Sequence, residues 1–244
     1  MRLISFLPRR PGTSPVKLFI SAGLSRFRSE TVQNKVKRIV NGPWRQNCYL
    51  IGGKDDAALI LDPGSDAPLI EEGIEDAGFK PIAIINTHAH YDHIGAVAAL
   101  MRRYDISFYM HGGDTDILKR ANTYRRIFGC STEVEVPEIT HDLATFPTEI
   151  DIGPFRVSWL ATPGHTPGSV TFTIDDDLFP GDTLFCDSVG RTDLPGGDRT
   201  TLTMSLRRVT ERLPHLMLRP GHGPAAVLGD VIASNKILAE AIAA

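Results

Sequence analysis

From residue 36 onward the apolar and polar positions alternate between two periods, two residues for a strand and three to four for a helix. Residues 36–40 and 48–52 read as the arms of a hairpin around Gly42-Pro43, and 58–61 as a strand stopped by Asp62-Pro63-Gly64. Leu69, Ile70, Ile74 and Ala77 recur at near-helical spacing, predicting a helix over 68–78 that Gly78 closes. The run 81–86, with Ile82, Ile84 and Ile85, predicts a strand buried on both faces. A helix over 95–104, with Val97, Leu100, Met101 and Tyr104 on one side, leads to a strand over 106–111.

The second half repeats the theme. Residues 155–161, 169–174 and 178–179 read as strands, the middle one turning Val170, Phe172 and Ile174 inward. Helices over 200–213 and 225–243 flank a strand at 216–218, while 112–148 is expected to overhang the site. Strands in both halves with helices between them predict an α/β protein: two packed sheets covered outside by helices, an αβ/βα sandwich. Trp44 and Trp159 read as packing residues, and His111, His141 and His215 as structural or surface residues.

The strand at 81–86 runs into Thr-His-Ala-His-Tyr-Asp-His-Ile-Gly, which packs His88, His90, Asp92 and His93 into six positions. In an extended segment alternate side chains share a direction, so His88 and His90 converge, and a turn into the next helix aims Asp92 and His93 nearby. An isolated histidine would read as a helix cap, but four ligand types at this density point to a metal centre. Three more ligand types, His165, Asp182 and His222, each stand beside glycine in a Pro-Gly loop after a strand-like run. Together they suffice for two zinc-sized ions with open positions for water. Asp62, at a strand tip, suits either a hydrogen-bond acceptor behind a ligand histidine or a turn cap.

The pattern His-x-His-x-Asp-His followed by separated His, Asp and His resembles the metallo-β-lactamase superfamily, over the chain from about Lys35 to the end. Gly-Asp-Thr-Leu-Phe, Gly-Arg-Thr-Asp-Leu-Pro-Gly-Gly-Asp (190–198) and Pro-Gly-His-Gly-Pro are most similar to the short glyoxalase II, or hydroxyacylglutathione hydrolase, group. The resemblance implies a four-layer sandwich, with His88, His90 and His165 on one metal, Asp92, His93 and His222 on the other, and Asp182 bridging them. It further implies divalent ions, zinc first with iron or manganese as alternatives, activating a bridging water against a 2-hydroxyacyl thioester of glutathione type. Asp92 would also orient that water, unless it only ligates, and Arg191 would anchor a substrate carboxylate or brace its own loop through Asp193. A zinc β-lactamase usually has cysteine where this chain has Asp182. Long-form glyoxalase II carries a helical domain that grips glutathione, whereas only about twenty residues follow Gly223 here.

Two alternatives share the motifs. A mononuclear iron persulfide dioxygenase would use only His88, His165 and Asp182, yet such enzymes usually have an aromatic residue after Gly-Arg-Thr-Asp, where this chain has Leu194. A non-catalytic metal-binding module would have little use for seven open-site ligands.

Composition narrows the classes further. With 42% hydrophobic and 23% charged residues in 244, the chain can bury one sizeable core, and no run approaches the roughly 20 apolar residues of a membrane span. Cys48, Cys130 and Cys186 form no close pair, which fits a reducing compartment, the cytoplasm; Cys186, near the site, reads as a buried or supporting thiol, with a ligand or nucleophile role as the alternative. Residues 1–35 hold seven Lys or Arg against one acidic residue, so of the net −3 the remainder carries −9, and no broad basic face suggests nucleic acid.

The domain proper is therefore expected at 36–244, after a basic extension at 1–35. The first 29 residues, with five Arg, five Ser and no acid, read as a disordered extension, an overlong start or a transit-like segment that would address the mitochondrial matrix. Deleting residues 1–30 is expected to leave melting temperature and turnover nearly unchanged, because the segment lacks either period. A large loss of either in the truncated protein would show that it packs on the domain.

Overall fold

The computed structural model describes residues 35–130 and 132–243. The expected extension at 1–35 lies outside these, except that Lys35 opens the first strand. Strands β1 (Lys35–Asn41) and β2 (Gln46–Gly52) form the expected antiparallel hairpin, and β3 (Ala57–Leu61) continues it. Strands β4 (Lys80–Ile85), β5 (Ser107–Met110) and the short β6 (His141–Asp142) then add in parallel. Parallel neighbours need crossovers. Helix α1 (Ala67–Ala77) supplies one, capped by the Asp66 carboxylate at its start and closed by Gly78 at φ +66°. Between β4 and β5 the chain makes the single turn α2 (Tyr91–Ile94) and then α3 (Val97–Tyr104), where the sequence predicted one helix from 95.

The second sheet opens with β7 (Glu149–Ile152), β8 (Phe155–Ala161), β9 (Val170–Ile174) and β10 (Asp177–Gly181), an antiparallel meander. Helix α6 (Arg199–Thr210) crosses over to β11 (Met217–Pro220), parallel to β10, and β12 (Ala226–Val227) closes the edge; α4 (Thr115–Lys119) and α5 (Ala121–Ile127) precede β6. The helix expected over 225–243 is two, α7 (Leu228–Ser234) and α8 (Lys236–Ala243). Asn235 breaks it: its Oδ1 accepts from Leu238 N, while its amide donates to the carbonyls of Phe185 and Ser188.

Each six-stranded sheet is buried on both faces, which sorts the core into three slabs. Cys48, Leu50, Ile60 and Ile84 face α1 and α3, while the alternate residues Tyr49, Ile51, Leu59 and Ile85 meet Val157, Trp159, Val170 and Phe172 between the sheets. Leu178 and Leu218 face Leu202, Leu206, Leu228 and Leu238 of the outer helices. The four-layer sandwich follows from this period-two sorting, with about 2 kcal/mol for each fully buried large side chain such as Phe172. On α1 the buried stripe is Ile70, Gly73 and Ile74; Leu69, read as part of the apolar face, is 37% exposed. No helix among the described residues is long and apolar enough to cross a membrane.

Strand direction places the chemistry. Asp62, the 86–93 loop, the 162–168 loop, Asp182 and His222 follow the C-terminal ends of β3, β4, β8, β10 and β11 respectively. Strands β8 and β10 are both antiparallel to β9 and so run the same way, delivering their loops to one edge of the sandwich.

Candidate metal centre

The 86–93 loop is held from several sides. Asn86 donates to the His93 carbonyl at 2.9 Å, and Thr87 N donates to Asp62 Oδ1 at 2.7 Å. Ala89 N, between the first two histidines, donates to the buried Asp114 carboxylate at 2.9 Å. The turn α2 then sets Asp92 and His93 beside them. From the second sheet, His165 sits in a tight loop where Gly164 N bonds Thr166 O. Asp182 follows Gly181, whose φ of +54° suits glycine and where a side chain would collide with Thr87.

These loops bring all seven ligand-type side chains together. Donor atoms of His88, His90 and His165 lie within 4.8 Å of one another, as do those of Asp92, His93 and His222. Asp182 lies between the sets, with Oδ1 3.4 Å from His93 Nε2 and Oδ2 3.7 Å from His165 Nε2 and 3.6 Å from His222 Nε2. Asp62, His88 and His93 also fall within the same reach, but both Asp62 oxygens are already engaged. Asp62 therefore supports the site from behind.

In four of the five histidines a hydrogen bond at Nδ1 fixes the ring's orientation. His93 donates to Asp62 Oδ2 at 3.0 Å, His165 to the Arg191 carbonyl at 2.8 Å, and His222 to the Trp44 carbonyl at 3.1 Å. Thr87 Oγ1 donates to Asp62 Oδ2 at 2.7 Å and so accepts from His88 Nδ1 at 3.0 Å. One carboxylate thus orients a histidine of each set. The Nε2 atoms of His88, His93 and His165 and Oδ1 of Asp182 are buried with no hydrogen-bond partner. Buried polar atoms are rarely left so, and nitrogen and carboxylate donors converging on two points are what divalent cations bind.

The electrostatics agree. Burial pushes His88 and His90 down, His90 to about 3, with neighbouring imidazoles adding to the effect, so both present neutral rings with free lone pairs. Burial opposes ionisation of Asp92 and Asp182, yet His93 outweighs it in each, with His222 adding to the effect, and holds both below the usual carboxylate range. In return, against the downward effect of burial, Asp182 and Asp92 hold His93 well above its ordinary value. The cluster attracts positive charge.

A cavity of about 360 Å³ opens onto the cluster, walled by Trp44, Tyr91, Phe128, Leu194 and Arg191. Trp44, expected as a packing residue, is 43% exposed at this mouth, edge-on to Tyr91 and Phe128. Trp159 does pack between the sheets. Arg191 grips Asp193 through two 2.7 Å hydrogen bonds, so the brace is formed and a substrate carboxylate would have to share or displace it. Cys186 bonds the Pro224 carbonyl and supports the His222 turn; all three cysteines are free thiols. His111 caps the turn at 112–114, His141 stacks on Tyr109, and His215 lies 3.9 Å from Asp176.

The profile of the metallo-beta-lactamase superfamily matches residues 41–222, from the first hairpin to the last histidine of the cluster. The chain belongs to this superfamily. Probable metallo-hydrolase YqgX of Bacillus subtilis (strain 168) is 39% identical over 193 residues, 78% of this chain and 90% of YqgX. Hydroxyacylglutathione hydrolase GloC of Haemophilus influenzae is 30% identical over 202 residues, 80% of this chain and 93% of GloC. Among solved structures, BLEG-1 B3 metallo-beta-lactamase superposes with a TM-score of 0.79 at 35% identity, covering 84% of this chain and 99% of that one. The superfamily is one of metallo-hydrolases, and all seven ligand-type residues of this chain fall within the matched span.

Two supports of the superfamily site were not read from the sequence. Asp114 is fully buried and takes three donors, Ala89 N, Thr166 Oγ1 at 2.8 Å and Gly168 N at 2.6 Å, tying the His88–His90 loop to the His165 loop. Gln46 and Asn41 form a buried amide pair in which Gln46 Nε2 donates to the Asp62 carbonyl at 3.0 Å and Asn41 Oδ1 accepts from Ser65 N. An acid after Gly112-Gly113 and amides flanking the hairpin turn were the available signals, each common in ordinary loops.

Proposed function

We propose that the chain is a dinuclear metal-dependent hydrolase acting on a small 2-hydroxyacyl thioester of glutathione type. The observation that carries the two-ion reading is the position of Asp182, within 3.7 Å of Nε2 atoms from both sets of ligands. The nitrogen and oxygen donors suit zinc first, and iron or manganese as well. Two bound cations would supply a water of lowered pKa and an electrophile for the carbonyl oxygen.

The chain's own groups do the rest. Asp92 Oδ2, 3.2 Å from His222 Nε2 and at the cavity, orients the attacking water and takes its proton. Trp44, Tyr91, Phe128 and Leu194 form an apolar wall that holds the acyl end and thins the water around it. A thiolate, with an intrinsic pKa of about 8.5, departs without an acid to protonate it. Similarity to GloC supports the thioester, and the free thiols suit a reducing compartment, which we take to be the cytoplasm.

The likeness to BLEG-1 makes a β-lactam the necessary control. Protein purified without added metal is to be analysed for zinc, iron and manganese and assayed with S-lactoylglutathione, a cephalosporin and glutathione persulfide. Two ions per chain and preferential thioester cleavage are expected. Faster cephalosporin hydrolysis, or oxygen uptake with the persulfide by a one-iron protein, would overturn the assignment.

A further inference from the structure

A second cleft, of about 470 Å³, shares Trp44 and His222 with the cavity over the metal centre and runs on between the first hairpin and the 222–224 turn. Its other lining includes Arg38, Arg45 and Asn47. Arg38 donates to the Gly223 carbonyl at 2.8 Å and has no carboxylate partner among the described residues. Arg45 makes no side-chain hydrogen bond or ion pair among the described residues, and its backbone sits at φ +55° in the hairpin turn. That conformation favours glycine or asparagine, so an arginine there is a residue held against its local preference. Asn47 is 1% exposed; its amide donates to the carbonyls of Pro220 and Gly223, but its Oδ1 is buried with no donor.

The sign of the charge is the informative part. Beyond residue 35 the chain carries net −9, yet this cleft beside the metal centre presents two arginines and, among the described residues that line it, no acid. An uncompensated guanidinium pair selects carboxylate or phosphate. We propose that the cleft is the binding site for the leaving-group arm of the substrate. That arm carries a terminal anion for Arg38 and Arg45. The assignment rests on the thioester reading above and deepens it. Glutathione, with carboxylates, and coenzyme A, with phosphates, share this chemistry. In either case Trp44 stands between the apolar acyl cavity and the charged cleft, so the thioester bond would lie across its edge.

The test uses the metal-loaded full-length protein with Arg38→Gln, Arg45→Gln and Arg45→Gly. The last suits φ +55° and so guards against a folding defect. Binding of S-methylglutathione and of S-methyl-coenzyme A, neither of which can be hydrolysed as a thioester, is followed by tryptophan fluorescence. One of the two is expected to bind, to weaken with salt, and to bind about tenfold more weakly in each variant. The tighter thioether names the source of the anion. In parallel, the preference for S-lactoylglutathione or lactoyl-coenzyme A over neutral S-lactoyl-N-acetylcysteamine should fall about tenfold through KM, with kcat nearly constant. Equal losses on the neutral thioester, or thioether affinities indifferent to the arginines, would overturn the cleft. Thioester hydrolysis with no thioether binding in any variant would sink the cleft alone. Arginine-dependent thioether binding without any thioester hydrolysis would sink the hydrolase reading and leave the cleft standing.

Discussion

Asp182→Ala is expected to release metal from both halves of the site and to lower kcat by on the order of 10²-fold or more, since water activation and carbonyl polarisation fail together. The expectation is geometric: this carboxylate lies within 3.4–3.7 Å of Nε2 atoms from His93, His165 and His222, and those rings come from both ligand sets. Asp92→Ala and His93→Ala should act on one half only, taking metal content from about two towards one per chain, while His88→Ala disturbs the other half. Plasma emission and kcat on the same preparations make the comparison. A wild-type protein holding a single iron, and keeping it in Asp92→Ala, would end the dinuclear reading.

The second large effect is expected at Asp114, which touches no ligand side chain. Asp114→Ala leaves Ala89 N, Thr166 Oγ1 and Gly168 N without their shared acceptor in a fully buried place, a loss of about 3 kcal/mol or more. Denaturant unfolding of the metal-free protein measures that loss. Because the same carboxylate spaces the His88–His90 loop from the His165 loop, affinity for the first ion should fall about 10- to 100-fold more than for the second. Competition titration against a chelator reads the two constants, and Asp114→Asn, which still offers one oxygen, should fall between. Unchanged metal affinities in a destabilised Asp114→Ala would reduce the residue to a purely structural one.

The candidate ligands were legible because each carries a local sign. His88, His90, Asp92 and His93 lie within one turn of chain, and His165, Asp182 and His222 each carry glycine neighbours that announce a tight loop. The sandwich was legible from period: Val170, Phe172 and Ile174 alternate in the sequence and lie together between the sheets. Strand β7 offered the same sign, Glu149 and Asp151 alternating with Ile150 and Ile152, in a segment read as overhang only up to 148. What stayed hidden depends on partners far along the chain. Asp114 finds Thr166 52 positions away and Gly168 54 away, and Gln46 finds Asp62 16 away. Trp44 looked like core because aromatic residues usually are; its exposure comes from the hairpin turn carrying it past the sheet edge to the cavity mouth.

Division of the candidate ligands between the sheets bears on how the molecule is assembled. Four of the seven follow β4 in the first sheet, and three follow β8, β10 and β11 in the second, so neither half of the chain alone holds a complete set. An ion held by both would act as a rivet across the central slab, absent from the unfolded chain and formed only after the two halves have docked. Its contribution grows with free metal as RT ln(1 + [M]/Kd), so the lifetime of the folded protein in a cell would be set in part by the metal supply around it.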